Sequence, residues 1–251
     1  MLIDAHAHLD RYGDSLTPAL EEIAGHRIFT VSNSMDIPSY ERNLEIAQTC
    51  ELVLPTFGVP PWNAHEYVDR LDQIPGFIEQ SPILGEIGLD YHFVEEDGYY
   101  PAQREVFDFF LVAAAKQDKI VNLHTKEAEE DVLQLLKRHH IQRAIVHWYS
   151  GPLDVFRMFV SLGVYFTIGV EVLYSEHIQR IAWEVPAERL LTETDNPGGP
   201  EWLIGGPGMP LLIRDIIESL ARLRTTTASM LTQTVQSNFA RLVQGDPWLS
   251  A

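Results

Sequence analysis

Residues 83–89 read Ile-Leu-Gly-Glu-Ile-Gly-Leu, an apolar run interrupted by a single carboxylate, Glu86. The run has the length and composition of a β-strand buried on both faces, which is the kind of strand that parallel sheets contain. An unpaired carboxylate is costly to bury in such a strand. The run therefore predicts a parallel α/β fold in which Glu86 is paired with a cation, either a metal ion or the side chain of an Arg or Lys.

Seven further runs of the same kind occur along the chain, separated by longer stretches with helical character. The eight predicted strands cover residues 2–6, 28–32, 52–59, 83–89, 120–124, 144–148, 165–170 and 190–194. Eight strands that alternate with helices predict a (β/α)8 barrel, a TIM barrel, and 251 residues are enough for one such domain. We therefore expect a single domain over residues 1–251.

Helices are predicted where apolar residues recur at a spacing of three or four. Phe107, Phe110 and Ala114 do so within residues 100–117, and the same pattern predicts helices over 127–139, 211–223 and 227–242. An open, doubly wound sheet shares this alternation of strands and helices. Its phosphate-binding glycine signature is missing after the first predicted strand, and no P-loop motif occurs in the chain. A closed barrel is therefore favoured.

The composition limits the classes of partner. The chain has 18 Lys and Arg against 36 Asp and Glu, a net charge of −18, which argues against a broad basic surface for duplex nucleic acid. Bound cations could still attract a polyanion locally. Cys50 is the only cysteine, so neither an internal disulfide nor a thiolate metal site is expected. The sequence shows no leader segment and no long apolar run, which predicts a cytoplasmic protein that does not associate with membranes.

Polar residues at the ends of the predicted strands indicate the site, because barrel enzymes carry their active sites at the C-terminal ends of their strands. His6 and His8 are separated by one residue, so both side chains leave the same face of the first strand. The metal-type side chains at strand ends or within strands are His6, His8, Glu86, His124, His147 and Asp195. Nitrogen and carboxylate ligands of this kind predict one or two divalent ions, with Zn, Mn, Fe or Co favoured over Mg.

Six motifs extend this pattern almost from end to end of the chain. They are residues 3–10 (Ile-Asp-Ala-His-Ala-His-Leu-Asp), residues 85–91 (Gly-Glu-Ile-Gly-Leu-Asp-Tyr), Gln103-Arg104, His124, residues 147–151 (His-Trp-Tyr-Ser-Gly) and residues 193–197 (Glu-Thr-Asp-Asn-Pro). In order and spacing, the chain resembles the TatD family of metal-dependent hydrolases, which is related to the amidohydrolase barrels.

The resemblance implies roles for the six metal-type residues. His6, His8 and Asp195 would bind one ion, His124 and His147 the other, and Glu86 would bridge both. The resemblance also implies phosphodiester hydrolysis, often described as DNase activity. In such a site the ions activate a water molecule for attack. Asp195 is then the expected proton acceptor, and Glu86 takes part in catalysis through the ions that it holds.

Departures from the family pattern fall where substrate contacts are expected. Lys126 stands where many members have arginine, Tyr149 belongs to a Trp-Tyr pair where many have Cys-Phe, and Asn196 stands where Ser or Ala is common. We expect Lys126, Tyr149 and Asn196 to contact the substrate. Asp4, Asp90 and Glu193 are candidates for orienting the ligands, although solvated or loop-capping roles fit them equally well.

Three classes of function remain open at this point. The first is a TatD-like phosphodiesterase or deoxyribonuclease that acts on nucleic acid or a small phosphodiester. The second is an amidohydrolase, lactonase or esterase that uses the same metal chemistry, and the third is a metal-bound barrel that acts only as a partner protein. An intact set of six ligands disfavours the third class. No stable protein partner is implied, and we expect a monomer or a small homo-oligomer.

Overall fold

All eight predicted strands are present in the structure, a computed structural model that describes residues 1–246 and Leu249. The strands are β1 (Leu2–Ala7), β2 (Ile28–Asn33), β3 (Val53–Thr56), β4 (Ile83–Asp90), β5 (Ile120–Lys126), β6 (Ala144–Val146), β7 (Tyr165–Ile168) and β8 (Leu190–Thr192). Each hydrogen-bonded pair of strands is parallel. Most boundaries lie within two residues of the prediction, and the largest difference is at β3, which ends three residues early.

Two hydrogen-bonded sheets, β1-β2-β3 and β4-β5-β6-β7-β8, join to form the barrel. On one side the backbone of Phe57 pairs with that of Leu84, just beyond β3. On the other side the Asp195 N–H donates to the His6 carbonyl at 2.9 Å, and the His8 N–H donates to the Asn196 carbonyl at 2.7 Å. These contacts close the ring of eight strands, so the predicted (β/α)8 barrel is confirmed.

Helices connect the strands. They are α1 (Leu16–His26), α2 (Ile37–Ala47), α3 (Ala64–Tyr67), α4 (Pro75–Gln80), α5 (Tyr100–Gln117), α6 (Glu129–Arg138), α7 (Leu153–Leu162), α8 (Glu176–Glu184), α9 (Glu201–Ile204), α10 (Leu212–Leu223) and α11 (Ala228–Val243). The four predicted helices correspond to α5, α6, α10 and α11, each within two residues at either end. Across the described part of the chain, no helix combines the length and apolar character needed to cross a bilayer.

Apolar packing fills the N-terminal end of the barrel. Residues near the beginnings of the strands, such as Ile3, Ile83 and Ile120, form a buried cluster with Val235 and Phe239 of α11. A second and larger cluster lies between the strands and the surrounding helices. Because α11 covers the N-terminal end, the polar groups at the C-terminal ends of the strands are left to form the site.

Lys119 is a buried cation that joins α4 to the start of β5. The residue is only 2% exposed to solvent. The ammonium group donates to the backbone carbonyls of Ile78, Glu79 and Ser81, at 2.5, 2.8 and 2.5 Å. Carbonyl groups at the end of a helix have no partners within the helix. Lys119 therefore satisfies the C-terminal end of α4 and fixes it against the barrel.

We expect Lys119→Met to lower the free energy of unfolding by about 2–4 kcal/mol, because three carbonyl groups lose a charged donor. Urea denaturation followed by circular dichroism measures this change. Lys116→Met is the matched control, since Lys116 is exposed on α5 and lies three positions earlier. Equal stability of the two variants would contradict the capping role of Lys119.

Candidate metal centre

Four side chains from three strands converge at the C-terminal mouth of the barrel. His6 and His8, at the end of β1, place their Nε2 atoms 3.3 Å apart. The Asp195 Oδ1 atom, after β8, lies 3.7 Å from His6 Nε2 and 3.3 Å from His8 Nε2. The Glu86 Oε2 atom, from β4, lies 3.7 and 3.5 Å from the same two nitrogens. These four donor atoms therefore surround one small volume.

The second oxygen of Glu86 faces another pair of histidines. Glu86 Oε1 lies 3.1 Å from His124 Nδ1 and 2.9 Å from His147 Nε2. The two nitrogens are themselves 3.3 Å apart. His124 lies in β5 and His147 directly follows β6, so the second group comes from the neighbouring strands of the ring. One carboxylate thus stands between two clusters of imidazoles.

Glu86 is only 1% exposed, and among the described residues only imidazoles lie within ion-pair distance of its carboxylate. Its ion-pair partners there are His6, His8, His124 and His147. The alternative prediction, a core Arg or Lys paired with Glu86, is therefore wrong for the described part of the chain.

The donor atoms of His6, His8, Asp195 and Glu86, here called the first cluster, are spaced as the ligands of one metal ion would be. The measured distances among its donors run from 3.3 to 3.7 Å. Donors at about 2.1 Å from a tetrahedral zinc-like ion stand about 3.4 Å from one another. In two sets of three side chains, the ligand atoms all lie within 4.8 Å of one another. The sets are His6, His8 and Asp195, and His6, Glu86 and His147.

The outer nitrogens of three imidazoles, His6, His8 and His124, have oxygen partners that fix the tautomer of each neutral ring. His8 Nδ1 lies 2.9 Å from the Asn33 carbonyl, and His6 Nδ1 lies 3.2 Å from the Asn122 Oδ1 atom. His124 Nε2 lies 2.6 Å from Asp90 Oδ2. In each case the outer N–H donates to an oxygen, so the inner nitrogen of a neutral ring directs its lone pair into the centre. Metal-binding histidines have this arrangement of outer partners.

The electrostatics divide the four imidazoles. Burial would lower the pKa of His8, His124 and His147, but the nearby carboxylates of Asp195, Asp90 and Glu86 outweigh it and raise all three pKa values. Burial lowers the pKa of His6 to about 3, and the nearby His147 acts in the same direction. His6 is therefore a neutral donor at physiological pH. Burial alone would raise the pKa of Glu86, but His147 and His124 outweigh it and hold that pKa well below its usual range. The site combines an ionised, buried carboxylate with at least one neutral imidazole, which is a donor set suited to divalent ions.

The three candidate orienting carboxylates have different positions. Asp90 is hydrogen-bonded to His124, and Glu193 Oε2 lies 3.5 Å from His147 Nδ1. Within the described part of the chain, Asp4 forms no hydrogen bond or ion pair with an imidazole ring. It instead accepts hydrogen bonds from the backbone and hydroxyl of Thr194, at 2.9 and 2.6 Å, and so fixes the end of β8 against β1.

The sequence did not predict two groups that orient the histidines, the side chain of Asn122 and the backbone carbonyl of Asn33. The Asn122 amide donates to the Ala5 carbonyl at 2.9 Å, which turns its oxygen toward His6. Asn122 is a polar residue inside the otherwise apolar run of β5, and that anomaly could have revealed it. A backbone carbonyl such as that of Asn33 gives no signal in a sequence.

A cavity of about 470 Å³ opens above the centre. His124, His147 and Asp195 form part of its wall, together with Lys126, Ser150 and Glu171. The Lys126 ammonium donates to the Ser150 hydroxyl at 2.8 Å. Of the three predicted substrate contacts, Lys126 therefore lies in the cavity.

The other two predicted contacts lie elsewhere. Tyr149 is 2% exposed, its hydroxyl donates to the Pro152 carbonyl at 2.7 Å, and its ring packs against Phe156 and Phe166. Asn196 is 1% exposed, and its side chain lies against Gly208. Neither residue lines the cavity above the centre, so the structure does not support direct substrate contact by Tyr149 or Asn196.

We expect Glu86→Gln to reduce the bound metal from as many as two equivalents to one or fewer, because the amide cannot supply two anionic oxygens. Elemental analysis after reconstitution measures this, and far-UV circular dichroism checks the fold. Glu129→Gln is the matched control, since Glu129 is also buried but lies in α6, outside the two clusters. Unchanged metal content in Glu86→Gln would remove the proposed bridging role.

Asp90→Asn tests whether the outer hydrogen-bond partner of a histidine contributes to metal affinity. The substitution weakens the acceptor that orients His124, so we expect metal affinity to fall about 10- to 100-fold, as for other outer-partner changes. Competition with a chromophoric chelator measures the affinity. Asp131→Asn serves as control, because Asp131 pairs with Arg104 at the surface. Equal affinities in both variants would speak against an orienting role for Asp90.

Comparison with known proteins identifies the family. The model of the family described as TatD related DNase matches residues 3–244. YcfH of Escherichia coli and YabD of Bacillus subtilis, both described as uncharacterized metal-dependent hydrolases, are 27% and 26% identical to this chain. The alignments cover 98% of this chain and 96% of YcfH, and 96% of this chain and 98% of YabD.

A solved structure extends the likeness to three dimensions. The crystal structure of YjjV, a TatD homologue from Escherichia coli, superposes with a TM-score of 0.87 at 26% identity and covers 96% of this chain and 97% of YjjV. The resemblance carried by the sequence motifs is thereby confirmed. Since the family model matches nearly the whole chain, including every residue of the two clusters, the chain belongs to the TatD-related DNase family.

Proposed function

We propose that the protein hydrolyses phosphodiester bonds, using water activated by one or two divalent ions held by His6, His8, Glu86, His124, His147 and Asp195. The observation that carries the proposal is the position of Glu86. Its two oxygens face two separate groups of imidazoles, at distances of 2.9 to 3.7 Å. A pair of sites joined by one carboxylate is suited to hydrolysis without a protein nucleophile.

The bound ions and Asp195 have different chemical roles in this proposal. Bound divalent ions would lower the pKa of water and stabilise negative charge on a phosphoryl oxygen. Asp195 is the proton acceptor in this proposal. Its Oδ1 atom faces His6 and His8, whereas its Oδ2 atom lies toward Gly199 at the cavity wall. Asp195 can therefore hold an ion through one oxygen and take a proton from water through the other.

The position and charge of Lys126 favour the binding of an anionic substrate. Lys126 lines the cavity, and its ammonium group donates to the neutral hydroxyl of Ser150. Lys126 forms no ion pair with a carboxylate of the described residues, although Glu129 is near enough for Lys126 to lower its pKa, so the charge of Lys126 can still attract a phosphate. In a protein with a net charge of −18, this local cation and the bound ions would provide the attraction for a polyanion such as nucleic acid.

A hydrolysis screen tests the proposal. The metal-reconstituted protein is assayed with an aryl phosphodiester, single-stranded DNA, a lactone and an amide, before and after chelation. We expect metal-dependent cleavage of the phosphodiesters. Preferred turnover of the lactone or amide would overturn the proposal in favour of the second class of function, and no turnover of any substrate would favour the third.

Lys126→Ala separates the first two classes. The loss of a charge-assisted contact to phosphate is worth about 1.5–3 kcal/mol, so kcat/KM for a phosphodiester should fall roughly ten- to a hundredfold. An uncharged acyl substrate should be little affected, and the effect on the phosphodiester should weaken as salt screens the charge.

Lys137→Ala is the matched control for Lys126→Ala, because Lys137 is an exposed lysine on α6 that does not line the cavity. It removes the same charge from the whole protein. If Lys126→Ala and Lys137→Ala retain equal activity on the phosphodiester at low salt, Lys126 does not bind phosphate.

A further inference from the structure

Three aromatic residues line the cavity in addition to the polar groups. They are Phe93, Trp148 and Trp202. Phe93 follows β4, Trp148 follows β6, and Trp202 lies in α9, after β8. In a ring of eight strands β4 and β8 are opposite one another, so aromatic rings stand on both sides of the mouth. The proposed phosphodiester chemistry does not use any of them.

Two of these rings are unusually exposed. Trp202 is 64% exposed and Phe93 is 67% exposed. Trp202 has one aromatic neighbour in the described chain, Tyr174, which meets it edge to face with the ring centroids 5.8 Å apart. When a ligand covers large apolar groups that are exposed to water at the mouth of a cavity, the free energy of the system falls. The exposure therefore points to contact with a ligand.

Trp148, in contrast, is held in place. Its indole N–H donates to Glu171 Oε2 at 2.7 Å, and its backbone N–H donates to Glu193 Oε1 at 2.9 Å. A Cβ atom at Gly199 would come within 2.7 Å of the Trp148 ring, so the ring packs directly on the glycine backbone. Trp148 is thus a fixed part of the wall, anchored partly by the carboxylate that lies beside His147.

The position of the rings relative to the centre suggests what they bind. His147, Asp195 and Lys126 line the same cavity as Trp148 and Trp202. A phosphate held by the first group would leave one of its ester substituents against the second. Aromatic side chains stack on flat rings of many kinds, because every such ring offers a π-face.

We infer that Trp202 and Trp148 form a subsite for a flat aromatic ring carried by the substrate, such as a nucleobase, next to the phosphate. The inference rests on the proposed function, because it assumes that a phosphate occupies the centre. It assigns recognition of the substituent to the β6 and β8 loops, and recognition of the phosphate to the ends of the strands and Lys126.

Two ligands that share a deoxyribose 5-phosphate, one with a base at C1 and one with a hydroxyl there, test the subsite. Binding of thymidine 5′-monophosphate and of 2-deoxyribose 5-phosphate to the metal-reconstituted protein is measured by calorimetry. We expect the parent to bind the nucleotide roughly tenfold more tightly, in keeping with one stacking contact. Trp202→Ala should abolish most of that advantage without changing the affinity for the sugar phosphate, and Trp202→Phe should retain part of it.

Trp183→Ala is the matched control, because Trp183 is 58% exposed but lies on α8 and does not line the cavity. It should bind both ligands as the parent does. The subsite is overturned if the parent binds the two ligands equally or binds neither, if Trp202→Ala weakens both alike, or if Trp183→Ala has the same effect. Failure of the proposed function would be seen separately, as the absence of phosphodiester cleavage by the parent.

Discussion

The buried carboxylate of Glu86 is the constraint on which the site depends. An ionised carboxylate that is almost fully removed from water must be paired with positive charge. Among the described residues, the barrel offers it no Arg or Lys and surrounds it with imidazoles from β1, β5 and β6. In their neutral forms His6, His8 and His124, whose outer N–H groups donate to oxygen acceptors, present lone pairs rather than protons to the centre. The arrangement is most stable when divalent cations supply the missing charge.

The same network joins the site to the fold. Asn122 holds both the His6 ring and the Ala5 carbonyl, so one amide links β5 to β1 across the barrel. Asp4 fixes Thr194, and the backbone of Asp195 pairs with His6 where β8 meets β1. The contacts that close the barrel therefore also set the positions of the proposed ligands. With apolar packing filling the N-terminal end, this polar network can form only at the opposite end.

Much of this was predictable from local signals. Apolar runs predicted the strands, and metal-type residues in them and at their ends predicted one convergent site, because parallel strands bring their C-terminal ends together. The division of that site into two groups was implied only by the resemblance to the TatD family. Substrate contacts were harder to predict. After His147 the backbone turns sharply, with Trp148 at a φ of 40°, so the alternation that holds within a strand does not extend to Tyr149. Tyr149 consequently enters the core, and Trp148 takes the place in the cavity wall. Which of two adjacent aromatic residues faces the cavity depends on tertiary contacts, such as that between Trp148 and Glu171.

Anomalous X-ray diffraction from crystals of the protein reconstituted with manganese or zinc tests the bridging role of Glu86 most directly. The account predicts two anomalous peaks about 3.5–4 Å apart, the usual separation in two-metal sites. One peak would lie beside Glu86 Oε2, among His6, His8 and Asp195, and the other beside Glu86 Oε1, with His124 and His147. A single peak, which would leave Glu86 no second ion to bridge, or no peak at the mouth of the barrel, would contradict it.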